Sequence, residues 1–410
     1  MDTLKSFNIE DILLGDADSN ELIGEDTDEL LFGDLGSDTL TGSGGMDIFG
    51  YADNPFQGED VSDPERQIIA EEDFITDFDF TEDRYLINAR DFKIDGNVDF
   101  TAVDSNDADA AIEPGTNIVT LLNSDNDNDS DTPFIAGTAA NEIAELTTED
   151  GAGLFIYYNS DLKLNRLVYS SNLNDADADL KIISRQTDLT GEDAVDALGD
   201  FSADNFDFEN VVITGDTEDN KLVGTADDEL LFGDLGSDIL TGGDGADLFA
   251  FGGDTYKRED SDTKQQIIGE EDSITDFDFK EDKYLFDAAD FGITDDVNFV
   301  GVDATVPDAL IEPGTNVVAL TDTDSYDDSD LSFTARKAAE EIAELTTEDG
   351  AGFFVFFDSD LGSDRLVHSS NLNDADAELD GLAHHSNPDG EFGIDALSDF
   401  SADNFKFEGI

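Results

Sequence analysis

The stretch GDLGSDILT (residues 233–241) is followed at once by GGDGADLFA (residues 242–250). They follow the nonapeptide pattern G-G-x-G-x-D-x-U-x, in which U is a large apolar residue, with Asp234 in place of the second glycine in the first copy. Glycine permits tight turns whose backbone carbonyls face inward, position six supplies a carboxylate, and position eight anchors a short strand. Two copies in phase predict a parallel β-roll with oxygen-rich turns, and Ca²⁺ is the hard cation that such turns favour.

Four nonapeptides open each of two regions of the chain. They begin at Gly15, Gly24, Gly33 and Gly42, and again at Gly215, Gly224, Gly233 and Gly242. Position eight is held by Leu22, Leu31, Leu40 and Phe49, and by Leu222, Leu231, Leu240 and Phe249. Two nonapeptides make one turn of a roll, so each calcium is expected between a loop and the next but one. This arrangement pairs Glu29 with Asp47 and Asn20 with Asp38, and likewise in the second region.

The predicted calcium ligands are the position-six side chains and turn glycines that contribute backbone carbonyls. In the first region they are Asn20, Glu29, Gly33, Gly36, Asp38, Gly42, Gly44 and Asp47, and in the second Asn220, Glu229, Gly233, Gly236, Asp238, Gly242, Gly245 and Asp247. Asn or Glu in place of Asp is expected to weaken some sites. The first region departs further, with GSGGMD at 42–47 against GGDGAD at 242–247. Glycine–aspartate turns that bind no metal are the alternative.

The charge of the chain agrees with a cation-binding protein. It has 103 acidic and 19 basic residues, a formal net charge of -84 and a pI of about 4.1. Self-repulsion on this scale opposes folding, so bound divalent cations or high salt are expected to offset it. Adaptation to a salt-rich habitat is a second explanation of the composition. Nucleic acid and anionic membranes are excluded as partners on charge.

Composition also limits the class and the location. A hydrophobic content of 38% with 31 Phe is enough to build cores, and the lack of cysteine excludes disulfides and thiolate chemistry. Residues 1–15 contain no continuous apolar segment, so we predict no cleaved secretory signal peptide. No run of 18 apolar residues is present, which predicts no membrane insertion.

A tandem duplication sets the predicted domain organisation. Gly15, Gly33 and Asp47 recur at an offset of 200, and the segments IEPGTN (112–117) and FSADNF (201–206) recur at 199. We predict two units, 1–210 and 211–410, of a mainly β fold with α+β portions. In unit 1 a short parallel β-roll covers about 12–52, a cap 65–95 and an α+β portion 112–210. The matching segments of unit 2 are 212–252, 265–295 and 311–410.

These nonapeptides resemble the RTX, or haemolysin-type, calcium-binding repeats, including the β-roll modules of serralysin-like secreted proteases. In that family a pattern like D-x-I-x-D-F-x-x-G-x-D follows the roll, caps it and adds ligands. Here it takes the form DFITDF (73–78) with Asp83, and DSITDF (272–277) with Asp282, without the glycine. The resemblance implies Asp73, Asp77, Asp272 and Asp276 as capping ligands. It also implies several calcium ions per chain and type I secretion with an uncleaved C-terminal signal.

The remainder of each unit is predicted to be α+β. Strands are expected at 117–122 and 316–320, helices at 139–148 and 335–347 that stop at Gly151 and Gly350, and hairpins at 153–171 and 352–370. The run FFVFF (353–357) fits a strand buried on both faces better than a sticky surface. The segment TGED (190–193) predicts a short helix ending near Gly199.

This portion resembles the "bluetail" domain of cyanobacterial surface proteins, through GLFIYYNSDL (153–162), NRLVYS (165–170) and FSADNF (201–206). The family carries no activity to transfer, and it implies a secreted or surface-held protein.

An acidic loop, DNDNDSD (125–131), imitates the start of an EF-hand, but it lacks glycine at position six and glutamate at position twelve. A solvated loop is the favoured interpretation of it and of its counterpart at 322–330.

We predict no enzyme, because the sequence has no H-E-x-x-H, nucleophile elbow, P-loop or dinucleotide motif. A glycosidase-like carboxylate pair cannot be recognised among so many acids, so a hydrolase stays the less favoured option. The main hypothesis is a secreted, calcium-rigidified structural protein of the cell surface that associates head to tail into filaments or a layer. A soluble extracellular calcium-sequestering or glycan-adhesive protein is the alternative, as is a chain of two units without packing between them.

Overall fold

A computed structural model describes residues 11–15, 19–52, 68–69, 72–94, 97–122, 133–209, 211–216, 218–252, 271–288, 290–293, 296–321, 333–386 and 396–408. The EF-hand-like loop at 125–131 and its counterpart at 322–330 lie outside these residues. The chain divides into two compact units on either side of the step from residue 210 to residue 211.

Unit 1 contains fourteen described strands and two helices. The strands are β1 (Asp11–Leu14), β2 (Glu21–Ile23), β3 (Glu29–Phe32), β4 (Thr39–Thr41), β5 (Ile48–Tyr51), β6 (Ile68–Ile69), β7 (Asp73–Ile75), β8 (Arg84–Ile87), β9 (Phe100–Val103), β10 (Ile118–Leu121), β11 (Gly153–Asn159), β12 (Leu164–Ser170), β13 (Leu180–Gln186) and β14 (Phe206–Asp207). The helices are α1 (Ala136–Leu146) and α2 (Glu192–Ala197), and Ala203–Asn205 forms a 3₁₀ turn.

Unit 2 repeats this order over its described residues. The strands are β15 (Val212–Thr214), β16 (Lys221–Val223), β17 (Leu230–Phe232), β18 (Ile239–Thr241), β19 (Leu248–Phe251), β20 (Asp272–Ile274), β21 (Lys283–Asp287), β22 (Phe299–Val302), β23 (Val317–Leu320), β24 (Gly352–Asp358), β25 (Ser363–Ser369), β26 (Leu379–His385) and β27 (Phe405–Glu408). Helix α3 covers Ala335–Leu345, and 3₁₀ turns cover Ala396–Ser398 and Ala402–Asn404.

The nonapeptides of each unit form a parallel β-roll. Successive nonapeptides alternate between two sheets, so that β1, β3 and β5 pair in parallel on one side and β2 pairs with β4 on the other. The position-eight residues point into the space between the sheets, where Leu31, Leu40 and Phe49 are fully buried. The mainly β fold with parallel rolls is therefore confirmed.

The roll does not end where the nonapeptides end. Its first sheet continues through β8 to β14 in the order β1-β3-β5-β8-β14, with every pair parallel. Its second sheet continues through β7 into the remaining strands, in the order β2-β4-β7-β13-β12-β11-β10-β9. The picture of a roll followed by a distinct α+β portion is therefore too simple, because β7 pairs with β4 of the roll on one side and with β13 on the other.

Over its described residues, unit 1 has a hydrophobic core on each face of its large sheet. One cluster lies between the two sheets and unites roll residues such as Leu31 with Ile118, Leu154 and Phe206 from later strands. A second cluster lies on the outer face of the large sheet, where Phe155 and Tyr157 of β11 pack with α1. Since alternate side chains of β11 enter opposite cores, this strand is buried on both faces.

The sequence located most of these later elements. The strands at 118–121 and 317–320, both hairpins and the buried run of Phe353 to Phe356 are present, with Phe357 partly exposed. The expected glycine ends of the long helices are wrong, since α1 ends at Leu146 and α3 at Leu345, each capped by a threonine in extended backbone. Helix α2 starts from Gly191 and has no side-chain cap.

In the part of the chain that the structure describes, no helix is long and apolar enough to cross a membrane.

Candidate calcium-binding loops

The position-six side chains of each roll form two ladders along its sides. On one side of unit 1, Asp38 Oδ1 accepts a hydrogen bond from the backbone N–H of Asn20 (2.8 Å), and Asp73 Oδ1 accepts one from that of Asp38 (3.0 Å). On the other side, Asp47 Oδ1 accepts from Glu29 N–H (3.2 Å) and Asp83 Oδ1 from Asp47 N–H (3.0 Å). The expected neighbours, Asn20 with Asp38 and Glu29 with Asp47, thus stand one turn apart.

Unit 2 has the same two ladders. Asn220, Asp238 and Asp272 form one, with N–H to carboxylate distances of 2.7 and 3.0 Å, and Glu229, Asp247 and Asp282 form the other, with 2.9 Å at each step. The capping pattern therefore supplies the final position-six equivalents, Asp73 and Asp83 in unit 1 and Asp272 and Asp282 in unit 2.

The second carboxylate oxygen of the ladder residues faces the loop interior. Asp238 Oδ2, Asp247 Oδ2 and Glu29 Oε2 are buried and accept no hydrogen bond from any described residue. Each lies against the position-one glycine of its own loop. A Cβ atom built on Gly233 would lie 2.5 Å from Asp238 Oδ2 and 3.0 Å from Asp272 Oδ2. Two carboxylate oxygens thus converge on a space that exists because residue 233 is glycine.

Backbone carbonyls line the same spaces. A Cβ on Gly24 would lie 2.6 Å from the Gly42 carbonyl oxygen and 2.6 Å from Glu29 Oε2, and one on Gly15 would lie 2.5 Å from both the Gly33 carbonyl oxygen and Asn20 Oδ1. The loops therefore combine one or two side-chain oxygens with turn carbonyls. This all-oxygen set is the one that Ca²⁺ prefers.

The electrostatics of the ladders also suit a cation. Burial raises the pKa of Asp47 to about 8, and the neighbouring carboxylates of Asp83 and Glu29 contribute to the rise. Burial likewise raises the pKa of Asp247 to about 8, with Asp282, Glu229 and Asp276 as its acidic neighbours. Carboxylates in such a position resist ionisation unless a positive charge joins them.

The positions that depart from aspartate make different contacts. Asn220 Oδ1 accepts from Asp216 N–H (2.6 Å), while its amide nitrogen donates to Asp216 Oδ1 (3.1 Å), so the amide closes its own loop. Glu229 Oε1 accepts from the Thr225 hydroxyl, and Oε2 accepts from Thr225 N–H at 3.0 Å. These side chains therefore have loop partners of their own, and weaker sites at these positions stay a prediction.

The glycines of the fourth position set the loop shape. Gly36, Gly236 and Gly245 have φ values of 116, 127 and 144°. In the last loop of unit 1 this backbone belongs to Gly45 (φ 129°), and Gly44 has no positive φ. Gly45 therefore occupies position four of this loop, and the ligand role of Gly44 stays a prediction.

The capping carboxylates Asp77 and Asp276 hold the last loop by its amides. Asp77 accepts from Gly42 N–H (3.0 Å) and Ser43 N–H (2.7 Å), and Asp276 accepts from Gly242 N–H and Gly243 N–H (2.9 Å each). Asp83 is occupied in the same way, since its second oxygen accepts from Asp79 N–H at 2.8 Å. Asp77 and Asp276 therefore cap the roll through its last loop, whereas Asp73, Asp83 and Asp272 each have one oxygen on a ladder.

Within the described ranges, no group of three or more His, Asp or Glu side chains is arranged to hold a metal by itself. A calcium ion in these loops would therefore depend on backbone carbonyls as well as on the paired carboxylates. Sequence reasoning did not assign a role to Asp83 and Asp282 beyond the pattern, although each ends the capping segment in the manner of a position-six residue.

A comparison with protein-family models finds the RTX calcium-binding nonapeptide repeat, in four copies, at residues 9–40, 23–49 and 212–255. No curated protein matches the chain. The matched residues are the rolls themselves, including both ladders up to the capping segments. Each unit therefore contains a segment that is similar to RTX calcium-binding nonapeptide repeats.

Proposed function

We propose that the chain is an extracellular structural protein whose rolls bind Ca²⁺ between loops one turn apart. The observation that carries this proposal is the convergence of Asp238 Oδ2 and Asp272 Oδ2 beside Gly233, where two buried carboxylates share one space. When bound, the ion supplies positive charge. The carboxylates would bind the ion, the glycines provide the space between the loops, and the turn carbonyls would complete its oxygen shell.

Binding is expected to stabilise the fold. A site held at a hundredfold above its Kd adds about 2.7 kcal/mol to the free energy of unfolding, so two or more sites in each unit change the balance for a chain of charge -84. No active-site motif accompanies the loops, and the proposal is a non-enzymatic one.

Calorimetric titration of Asp247→Ala against Asn20→Ala tests the assignment. Asp247 is buried on the ladder with one oxygen facing the loop, whereas Asn20 carries no charge, so Asp247→Ala should lose a calcium ion and Asn20→Ala should change little. Equal stoichiometry in both variants would overturn the site assignment.

The second roll should also bind more tightly than the first. Gly243 adopts a φ of 112° without strain, whereas Ser43, at the same position of the first roll, has a side chain and a φ of 72°.

Location at the cell exterior is part of the proposal. RTX repeats are typical of secreted proteins. The resemblance of the later portion to bluetail domains points to the cell surface, and type I export fits both features.

End-to-end assembly is the further element of the proposed function. Over the described residues, the outer strands of the five-stranded parallel sheet are β1 and β14 in unit 1 and β15 and β27 in unit 2, so that β1 is the first outer strand along the chain and β27 the last. Two outer strands of parallel sheets, one at each end of the sequence, suit the addition of a second copy in the same direction, which propagates as a filament. Calcium would favour it by reducing charge repulsion.

Light scattering and negative-stain microscopy in calcium test assembly, with a variant that lacks residues 404–410 as the control. Calcium-dependent filaments that this deletion abolishes would support the proposal. A monomer at all concentrations would favour the soluble calcium-sequestering alternative.

A further inference from the structure

A buried ion-pair cluster lies directly beside the capping ligand of each roll. In unit 2, Glu271 precedes Asp272, and its carboxylate pairs with Arg365 through Nη2 and through Nε at 3.0 Å. Arg365 also contacts Asp358 Oδ2 at 2.9 Å, and the side chains of all three residues are less than 10% exposed. In unit 1, Glu72 precedes Asp73 and pairs with Arg166 and with Arg185 (3.2 Å).

The arginines come from the far part of the sequence. Arg365 lies on β25, 94 residues after Glu271, and Arg166 lies on β12 at the same separation from Glu72. The link is possible because β20 pairs with β26 in the register Asp272 to Ala383, and β7 pairs with β13 in the register Asp73 to Ser184. The cluster therefore joins the end of the roll to the antiparallel strands of the large sheet.

Packing in unit 2 is shaped around Glu271. Gly381 of β26 has ordinary backbone angles, but a Cβ atom there would overlap the Glu271 carboxylate. The absence of a side chain at residue 381 thus leaves room for this acid beside Arg365.

We propose that Arg365 and Arg166 are positioning residues for calcium binding, which hold Glu271 and Glu72 and thereby place Asp272 and Asp73 on their ladders. The inference rests on the proposed function and adds to it a coupling between the ion and the hairpin strands. Without Arg365, the buried Glu271 next to a calcium ligand loses its arginine counter-charge, and the strand start must shift toward water, whereas in unit 1 Arg185 still pairs with Glu72 after loss of Arg166. By linkage, calcium in the loops also stabilises β25 and β26.

The coupling is tested in the full chain by hydrogen–deuterium exchange during a calcium titration, which reports the loops of each unit separately. Arg365→Met should weaken calcium protection of the unit 2 loops by about tenfold, as loss of a residue that orients a metal ligand does. In an Asp272→Asn background the same substitution should change the midpoint by no more than about twofold, because Arg365 acts through Asp272. The unit 1 loops serve as the internal reference, and Lys337→Met controls for loss of one positive charge.

Two milder variants keep the test decisive if Arg365→Met fails to fold. Arg365→Lys retains the charge, and Gly381→Ala displaces Glu271 without altering any charge. Both should weaken protection of the unit 2 loops in the wild-type background and leave the Asp272→Asn background unchanged. An equal loss in both backgrounds, or normal calcium binding in Gly381→Ala, would overturn the positioning role. The unit 1 loops report calcium binding independently, so failure of the positioning role and failure of the proposed calcium binding give different results.

Discussion

Position four of the last nonapeptide in each roll has a backbone that residues other than glycine adopt only under strain. Gly45 and Gly245 have φ values of 129 and 144°, and a Cβ on Gly45 would overlap the carbonyl group of Thr27 in the loop one turn earlier. The positive φ and the close approach of the Thr27 carbonyl therefore both require glycine at residue 45.

Alanine substitution of two adjacent glycines tests whether the loop requires glycine specifically at residue 45. Gly45→Ala should destabilise unit 1 by about 1–3 kcal/mol and remove its last calcium site, because the alanine is strained and meets the Thr27 carbonyl. Gly44→Ala is the matched control, since its nearest neighbour would be Asp26 Oδ1 at 3.5 Å. Urea denaturation in calcium measures both, and equal losses would contradict the assigned loop register.

A buried acid distinguishes the two units at the residue scale. Asp364 is fully buried, its two oxygens accept no hydrogen bond from the described residues, and burial raises its pKa to about 7. Its counterpart in unit 1 is Asn165, whose amide donates to the Ala194 carbonyl at 2.7 Å. The pKa of Asp364 in the folded state lies above the ordinary value of 3.8. Its contribution to the stability of unit 2 is therefore fully present below about pH 4 and is lost as the pH rises to about 7.

Asp364→Asn should therefore stabilise unit 2 at pH 8 by roughly 2–4 kcal/mol and have little effect at pH 4. Urea denaturation of variant and wild type, compared at each pH in the same excess of calcium, gives the measurement, with Asn165→Asp as the reciprocal variant that should acquire the pH dependence. A gain at pH 8 no larger than that at pH 4 would show that Asp364 has a partner in the folded state.

At the scale of elements, the local signals were predictable and the long-range pairing was not. The nonapeptide step places Asp38 and Leu40 correctly because each loop is specified by its own nine residues. Strand β13, LKIISRQ, mixes apolar and charged residues, and its parallel register with β7 has no local signature. The shared sheet, and with it the Glu72–Arg166 pair, could therefore be found only from the structure.

The shared sheets predict that the roll does not fold alone. Residues 1–95 would contain β7 and β8 without their outer neighbours β13 and β14, and would leave one side of the inner core open. We expect this fragment to remain unfolded in calcium, whereas residues 1–210 should fold cooperatively. Circular dichroism of the two fragments at equal calcium concentration measures this, and an independently folded 1–95 would contradict the continuity of the core.

At the scale of the whole molecule, the fold brings carboxylates together in the loops, where we expect a bound cation to be needed to offset their repulsion. The two ladders of each unit bring buried carboxylates to one-turn spacing, in a chain whose net charge is already -84. General screening by salt reduces the long-range repulsion, but it does not reach carboxylates that are buried inside the loops. Specific binding and screening therefore make different predictions about which ions support folding.

Far-UV circular dichroism of the full chain in chelator, followed by addition of calcium, magnesium or sodium chloride at matched ionic strength, tests the central claim most directly. Specific binding in the loops predicts that the β-signal is weak in chelator and returns cooperatively with millimolar calcium, while magnesium at the same strength and sodium do not restore it. A full β-signal in chelator, or equal recovery with all three salts, would contradict calcium-dependent folding of the rolls.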